Sequence, residues 1–324
     1  MTWSAATADG RRDQFGRFLL GTGNIGGIAT TTGPGIGLSD DEGLALIDRA
    51  LVEGARVIDT ADVYTGGTSE RVVGRWLREH ADADVLVQTK TGMTPDGPNL
   101  SPERVQRQLD HALEVLGRVD LFVAHTVDPN TPWADTLRVF SDAVQSGRVR
   151  AYGLSNVTEQ SLTDALEAAD RDGLVRPEIV QNQYSLVVRE DDRGVLPIVQ
   201  REGLAYTPFS PLANGILAGR YSAGERPAHG SRATASAVAP GLLDDPDVIA
   251  RVRRFDDLAA DLGVTPAGLA LGWIMNRPDV TAPIVGISKP TQWLGVQQGL
   301  ALEWTAELDA RLAELFPAGA AARR

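Results

Sequence analysis

The chain has 324 residues, of which 43% are hydrophobic and 23% are charged, values that fit a globular protein and exclude long-range disorder and fibrous classes. Its 43 acidic residues outnumber its 31 basic residues, and the net charge of −12 argues against nucleic acid or an anionic membrane surface as a partner. The absence of cysteine excludes disulfides, thiolate metal sites and cysteine nucleophiles.

Short apolar runs alternate with amphipathic stretches along the chain, which is the pattern of a parallel sheet with helices between its strands. The predicted strands are 18–22, 56–59, 85–90, 119–125, 149–154, 178–183, 204–208 and 282–285. The predicted helices are 40–53, 69–79, 102–116, 133–146, 159–171, 191–202, 247–262 and 266–276. Eight such units without a break in composition predict an α/β fold, a single (β/α)8 TIM barrel over 1–324 with 1–16 as an N-terminal extension.

Two connections are longer than the usual two to six residues of such folds. They are 23–38 after the first strand and 212–245 after the seventh, and a barrel places both at the C-terminal face, where we expect the active site. The second is rich in Gly, Ala, Ser and Pro and is predicted to be mobile, as a lid over a ligand or as a plain surface loop.

The segment from Gly21 to Gly26 matches the GxGxxG pattern of dinucleotide-binding loops. A dinucleotide fingerprint needs a helix that begins inside the motif, whereas here more glycine, threonine and then Pro34 follow. We therefore expect a glycine-rich barrel loop that lets the backbone approach a ligand closely.

No apolar run approaches the roughly 18 residues of a membrane span, and the first 18 residues lack the apolar core of a secretory signal. We therefore expect a cytoplasmic protein with no membrane partner. The four histidines do not have metal-ligand spacing, so no metal site is predicted. The oligomeric state is not indicated by the sequence.

Adjacent predicted strands carry ionisable residues at their C-terminal ends: Asp59 and Tyr64 after the second, Lys90 at the third and His125 at the fourth. A free tyrosine is a poor acid at neutral pH, but a lysine ammonium beside it stabilises the phenolate, and a carboxylate keeps the lysine charged. Tyr64 is therefore the predicted proton donor, with Lys90 and Asp59 as its tuning pair, and His125 orients a substrate carbonyl. The set contains no metal-ligand cluster, so the reaction needs an external reagent, which hydride supplies most simply.

Lysine is unusually rare in this chain. Arginine accounts for 29 of the 31 basic residues, and the two lysines are Lys90 and Lys289. Codon bias explains the excess of arginine but does not explain where the two lysines lie. The flexible, compact ammonium of Lys90 suits a place beside a tyrosine oxygen, which a planar guanidinium does not.

From about Phe18 to about Leu302 the chain resembles the aldo-keto reductase superfamily. The segment IDTADVY, followed by Ser69-Glu70, is similar to the family's strand-two signature, and VQTK and DLFVAH match the lysine and histidine segments. The resemblance implies an NAD(P)H-dependent oxidoreductase with the catalytic residues Tyr64, Asp59, Lys90 and His125. The expected substrate contacts are Asn24, Tyr64 and His125.

The same resemblance implies a bound nicotinamide cofactor. The segment GLSN and the first glutamine of IVQNQYS match the residues that hold the nicotinamide carboxamide, TPFSPLAN matches the stacking aromatic and the pyrophosphate loop, and GISKPTQ matches the adenosine phosphate segment. The implied cofactor residues are Gly21, Thr22, Asp59, Ser155, Asn156, Gln181, Phe209, Ser210, Leu212, Asn214, Gly286, Ser288, Lys289 and Gln292. NADPH is expected to be preferred because of Ser288 and Lys289. NADH stays possible, because Gln292 stands where the family often has arginine.

Three functions remain open on the sequence. The leading one is reduction of an aldehyde or ketone to an alcohol, with Tyr64 as proton donor and a small carbonyl compound as substrate. The second is a non-catalytic NADPH-binding regulatory subunit. The third is a class I aldolase in which Lys90 forms a Schiff base.

Overall fold

The protein folds as an eight-stranded parallel barrel. The computed structural model describes residues 13–33, 35–221, 227, 233–234, 236 and 239–317. The strands are β1 Leu19–Gly21, β2 Val57–Asp59, β3 Leu86–Thr91, β4 Leu121–Ala124, β5 Ala151–Ser155, β6 Ile179–Gln181, β7 Ala205–Tyr206 and β8 Ile284–Gly286. Consecutive strands from β1 to β7 pair in parallel, and β1 also pairs in parallel with β8.

Backbone hydrogen bonds beyond the strand ladders close the barrel between β7 and β8. The Ile284 N–H donates to the Pro208 carbonyl oxygen and the Thr281 N–H donates to the Tyr206 carbonyl oxygen, each at 2.8 Å. The predicted (β/α)8 fold is therefore confirmed, and all eight predicted strands are present, most of them shorter than the apolar runs that indicated them.

Eleven helices are named within the described residues. They are α1 Asp40–Val52, α2 Thr68–Glu79, α3 Pro102–Leu116, α4 Trp133–Gln145, α5 Glu159–Arg171, α6 Val195–Glu202, α7 Ala239–Asp244, α8 Pro246–Asp261, α9 Pro266–Asn276, α10 Trp293–Ala301 and α11 Ala306–Leu315. Helix α1 begins with a capping box, in which Ser39 and Glu42 satisfy each other's backbone N–H groups. Sequence periodicity did not indicate α7, α10 and α11.

The predicted helix over 191–202 is wrong at its start. A short 3₁₀ turn covers Glu190–Asp192, and α6 begins only at Val195. The side chains of Asp191 and Asp192 accept hydrogen bonds from Tyr206 and Tyr184, which fixes these two aspartates in the tertiary structure. Those contacts override the local helical pattern.

The interior of the barrel is built in layers because side chains alternate between the two faces of each strand. The lowest layer is an apolar cluster that includes one residue from each strand, with Phe15 beneath it. Two residues further along, four of the eight inward positions carry buried polar side chains, namely Asp59, Gln88, Gln181 and Thr207. The apolar lower layer therefore supports the polar residues at the C-terminal face. The members of the lower cluster are Phe15, Leu19, Val57, Leu86, Leu121, Ala151, Ile179, Ala205, Ala282 and Ile284.

The two long loops differ in what the structure describes. Loop 23–38, apart from Pro34, folds back on itself through a parallel bridge between Ile25 and Leu38. The predicted mobile loop 212–245 includes a 3₁₀ segment, Ala213–Ala218, and helix α7. Most of the stretch between them, like residues 1–12 of the predicted extension, lies outside the described residues.

Within the described residues no single helix is long and apolar enough to cross a membrane. Helices α8 and α9 reach that length and composition only as a pair, and the two are bent by 92°.

Candidate active site

Lys90 lies at the centre of the predicted catalytic set. Its side chain is 1% exposed, and its Nζ donates to Asp59 Oδ2 at 2.9 Å, to the Thr60 carbonyl oxygen at 2.6 Å and to Tyr64 Oη at 3.1 Å. An ammonium has three hydrogens, and these three acceptors use all of them. Lys90 is therefore held between a carboxylate and a phenol, as the sequence predicted.

The charge state of Lys90 follows from two opposed effects. Burial disfavours the ammonium, but the Asp59 carboxylate and the Tyr64 oxygen favour it, and the pKa of Lys90 is raised above its ordinary value. The lysine is thus a permanent cation at neutral pH. A fixed positive charge beside the Tyr64 oxygen stabilises the anion that remains when the tyrosine gives up its proton.

His125 approaches Tyr64 from β4. Their rings meet edge to face with centroids 5.7 Å apart. Burial, together with the nearby charge of Lys90, holds the pKa of His125 well below its ordinary value, so its imidazole is neutral. His125 Nδ1 is buried and has no hydrogen-bond partner among the described residues. A neutral imidazole offers one donor and one acceptor, which suits the orientation of a carbonyl group.

The loop after β1 supports the tyrosine from the other side. A Cβ atom on Gly23 would lie 3.5 Å from the Tyr64 ring, so the loop backbone packs closely against that ring. Thr65, which follows Tyr64 in the chain, fixes this loop. Its N–H donates to the Ala29 carbonyl oxygen, and its hydroxyl donates to the Ile25 carbonyl oxygen. Asn24, the predicted substrate contact, is 6% exposed in this loop.

Two side chains hold Asp59 besides Lys90. Gln88 Nε2 donates to Asp59 Oδ1 at 2.6 Å, and Gln181 Nε2 lies 3.5 Å from the same oxygen. Sequence reasoning missed Gln88. The signal was available, because Gln88 precedes Lys90 by two residues and so lies on the same face of β3.

Buried hydroxyl groups link the first two strands below the site. The Thr22 hydroxyl donates to the Asp59 carbonyl oxygen and lies 2.7 Å from Ser69 Oγ, which lies 2.8 Å from the Thr60 hydroxyl. The predicted cofactor residue Thr22 thus uses its side chain to join β1, β2 and α2. Its neighbour Gly21 packs against β8, where an added Cβ would lie 2.9 Å from a side-chain carbon of Ile284.

Two acidic groups lie on the helix side of the same strands. Burial raises the pKa of Asp62, although Thr91 donates to its carboxylate and Arg104 lies 3.2 Å from it. Burial likewise raises the pKa of Glu70, which accepts a hydrogen bond from the Thr89 hydroxyl. These contacts join the loop that carries Tyr64 to β3 and to α2 and α3.

The three residues predicted to hold the nicotinamide carboxamide lie together beside the catalytic set. Ser155 Oγ donates to the Gln181 carbonyl oxygen at 2.6 Å, and Asn156 Nδ2 donates to the His125 carbonyl oxygen at 2.8 Å. With the contact from Gln181 to Asp59, these bonds connect the predicted nicotinamide site to the proton donor system.

The predicted pyrophosphate segment has an unusual backbone. Ser210, Ala213 and Asn214 all have positive φ, as does Asn156 at the end of β5. Left-handed conformations of residues other than glycine are strained, and they concentrate where a backbone is shaped to hold a ligand. Phe209 lies at the start of this segment, half-buried against the interior apolar cluster. Asn214 donates to Ser236 in the part of the long loop that the structure describes.

The third predicted cofactor group follows β8, whose last residue is Gly286. Gln292 Oε1 accepts from the backbone N–H groups of Ser288 and Lys289 at 2.7 and 3.0 Å, so the segment folds into a tight turn. The Lys289 side chain is exposed, and it borders a cavity of about 600 Å³ between α1 and α10. These hydrogen bonds lie within the segment 288–292 itself.

The family model described as the aldo/keto reductase family matches residues 19–315. A putative voltage-gated potassium channel subunit beta from Schizosaccharomyces pombe is 32% identical over 253 residues, which are 74% of this chain and 73% of the relative. An oxidoreductase from Bacillus subtilis, YrpG, is 28% identical over 317 residues, 93% of this chain and 92% of its own. A versiconal hemiacetal acetate reductase from Aspergillus parasiticus is 28% identical and covers 78% of this chain and 80% of its own.

A solved structure is also similar. The glycerol dehydrogenase from Gluconobacter oxydans has a TM-score of 0.76 and 25% sequence identity, with 92% of this chain and 90% of that chain covered.

Proposed function

The chain belongs to the aldo/keto reductase family, an assignment that makes it an NAD(P)H-dependent oxidoreductase, and from that premise we propose that it reduces an aldehyde or ketone to an alcohol with Tyr64 as the proton donor. The observation that carries the proposal is the position of Lys90 Nζ, which contacts both the Asp59 carboxylate and the Tyr64 hydroxyl in a buried site.

The residues of the site divide the work of the reaction. The reduced nicotinamide, when bound, supplies the hydride. The Tyr64 hydroxyl gives its proton to the substrate oxygen, and the ammonium of Lys90 stabilises the phenolate that is left. The neutral ring of His125 donates a hydrogen bond to the substrate carbonyl oxygen and so orients that group. Asp59 keeps Lys90 charged throughout.

The residues present fit a dinucleotide cofactor. Polar side chains at the ends of β5 and β6 lie beside the catalytic set. The strained backbone of 210–214 is a conformation typical of ligand-binding segments. We infer that NADPH is preferred over NADH, because the exposed ammonium of Lys289 is available to a 2′-phosphate. Ser155, Asn156 and Gln181 would hold the nicotinamide.

Replacement of the proton donor tests the proposal. Tyr64→Phe keeps the ring but removes the proton, so NADPH-dependent aldehyde reduction should fall by roughly 100-fold or more. The Kd of NADPH, measured by fluorescence quenching, should stay within about twofold of the wild-type value because no cofactor residue changes. Tyr152→Phe is the control, since that hydroxyl binds a backbone carbonyl oxygen elsewhere. Full activity in Tyr64→Phe would refute the mechanism.

A second candidate is a non-catalytic NADPH-binding subunit. Relatives from Schizosaccharomyces pombe and Oryza sativa, both 32% identical, are named as voltage-gated potassium channel beta subunits, which supports this reading. The complete catalytic set favours turnover. Absence of turnover over a broad panel of aldehydes, together with a stable protein partner, would reverse that preference.

The aldolase alternative fits the geometry poorly. A Schiff base forms from a neutral amine. Lys90 is held as an ammonium with all three hydrogens donated, and its pKa is raised above the ordinary value despite its burial. Borohydride trapping of a carbonyl compound on Lys90 in the absence of NADPH would favour the aldolase.

A further inference from the structure

Gln88 is a buried polar residue that the reaction described above does not use. Its side chain is fully buried on β3, and its Cα pairs with that of Asp59 across the register of β2 and β3. Because Lys90 follows it by two residues, both side chains point to the inside of the barrel. Gln88 therefore lies beside Asp59 and one layer below Lys90.

The hydrogen bond from Gln88 to Asp59 is short, and it uses only the nitrogen of the amide. Gln88 Nε2 lies 2.6 Å from Asp59 Oδ1, closer than Lys90 Nζ lies to Oδ2. Gln88 Oε1 is buried and has no hydrogen-bond partner among the described residues. A buried acceptor without a donor is unfavourable, so the oxygen of Gln88 gives no reason for an amide at this position. The amide is better explained by what its nitrogen does.

We propose that Gln88 is a positioning residue for the proton donor, acting through Asp59 on the pair formed by Lys90 and Tyr64. The inference rests on the carbonyl reduction proposed above. By holding Oδ1, the amide leaves only Oδ2 to face the ammonium. Lys90 then keeps its other two hydrogens for the Thr60 carbonyl oxygen and for the Tyr64 hydroxyl.

Loss of the Gln88 amide should weaken that arrangement. The Asp59 carboxylate then keeps only the longer contact from Gln181 on Oδ1, so it can turn, offer both oxygens to Lys90 and draw the ammonium away from Tyr64. A phenolate that receives a weaker hydrogen bond forms only at higher pH. The other titratable groups around this pair are His125 directly after β4, Asp62 in the loop after β2 and Glu70 on α2.

The experiment compares three variants in the full-length protein. Gln88→Met has similar length but no donor, and Gln88→Glu has a donor only while the new carboxyl is protonated. The control Gln106→Met makes the same chemical change at an exposed glutamine on α3. For each protein we would measure kcat against pH with NADPH and 4-nitrobenzaldehyde. We would also measure the ultraviolet phenolate titration of the cofactor-free protein, with the signal of Tyr64→Phe subtracted.

In Gln88→Met, kcat at neutral pH should fall about tenfold, and the phenolate titration should move up by roughly one pH unit. The Kd of NADPH should change by less than about twofold. Gln88→Glu should resemble the wild type at low pH, and at high pH its kcat should fall at least as far as that of Gln88→Met, because only the protonated carboxyl donates to Asp59 and the ionised one repels it. Gln106→Met should match the wild type.

An unmoved phenolate titration in Gln88→Met would overturn the proposal, whether or not kcat falls, since a purely structural role changes activity without changing that titration. The phenolate titration needs neither substrate nor cofactor. A wild-type protein without turnover would therefore refute the proposed function and still leave the role of Gln88 measurable.

Discussion

At the scale of single residues, the arrangement of the proposed catalytic set was predictable because it depends on where strands end. Asp59, Lys90 and His125 each lie at an inward position of consecutive strands, and the alternation of strand side chains brings them together. The pairing of Asp62 with Arg104 was not predictable in the same way. Arg104 comes from α3, and the rotation of that helix about its axis is set by packing rather than by strand order.

The cofactor preference can be tested at one residue. Lys289→Ala removes the exposed ammonium beside the turn that follows β8, so the Kd of NADPH should rise roughly tenfold while that of NADH changes by less than about twofold. Isothermal titration with both cofactors measures the difference. Lys289→Arg keeps the charge and should keep the preference. An equal loss for both cofactors would show that Lys289 does not bind the 2′-phosphate.

At the scale of elements, periodicity predicted most of the helices that lie between strands, but not the short α7 or the helices after the last strand. Helix α2 was predicted almost to its bounds, whereas α10 and α11 follow the last strand, where no further strand was present to mark a repeat. The sequence also gave no reason for Gly74 in the middle of α2. The structure supplies one: a Cβ there would lie 2.1 Å from the Val115 carbonyl oxygen on α3.

Packing of α2 on α3 should therefore depend on that glycine. Gly74→Ala forces the two helices apart and should lower the free energy of unfolding by about 1–3 kcal/mol. The matched control is Gly241→Ala in α7, where an added Cβ meets nothing within 4 Å and alanine should be neutral or stabilising by up to about 1 kcal/mol. Urea unfolding followed by circular dichroism measures both. Similar losses in the two variants would contradict the close-approach explanation.

At the scale of the whole molecule, one partly buried carboxyl outside the site connects several elements. Asp191 Oδ2 accepts hydrogen bonds from Asn182 after β6 and from Tyr206 on β7. Burial raises the pKa of Asp191 from 3.8 to about 6, despite these two donors. The folded state therefore favours the protonated form, and this contribution to stability is fully present below pH 3.8 and is lost as the pH rises to about 6.

Removal of the Asp191 charge should change how stability depends on pH. Asp191→Asn retains an acceptor for both donors, so it should be more stable than the wild type at pH 7.5 by up to about 3 kcal/mol. The difference should be much smaller at pH 4.5, where wild-type Asp191 is mostly protonated in the fold. Urea unfolding at both pH values tests this, with the exposed Asp82→Asn as control. An equal difference at the two pH values would be inconsistent with ionisation of Asp191.

The two lysines of this arginine-rich chain also differ completely in their accessibility. Lys90 is 1% exposed and held as an ammonium, whereas Lys289 lies on the surface at the edge of the cavity between α1 and α10. Acylating reagents require a neutral and accessible amine. Lys90 meets neither condition, whereas the Lys289 side chain is accessible, so the natural protein already carries a single exposed lysine to which a fluorophore or affinity group can be attached beside the turn that follows β8.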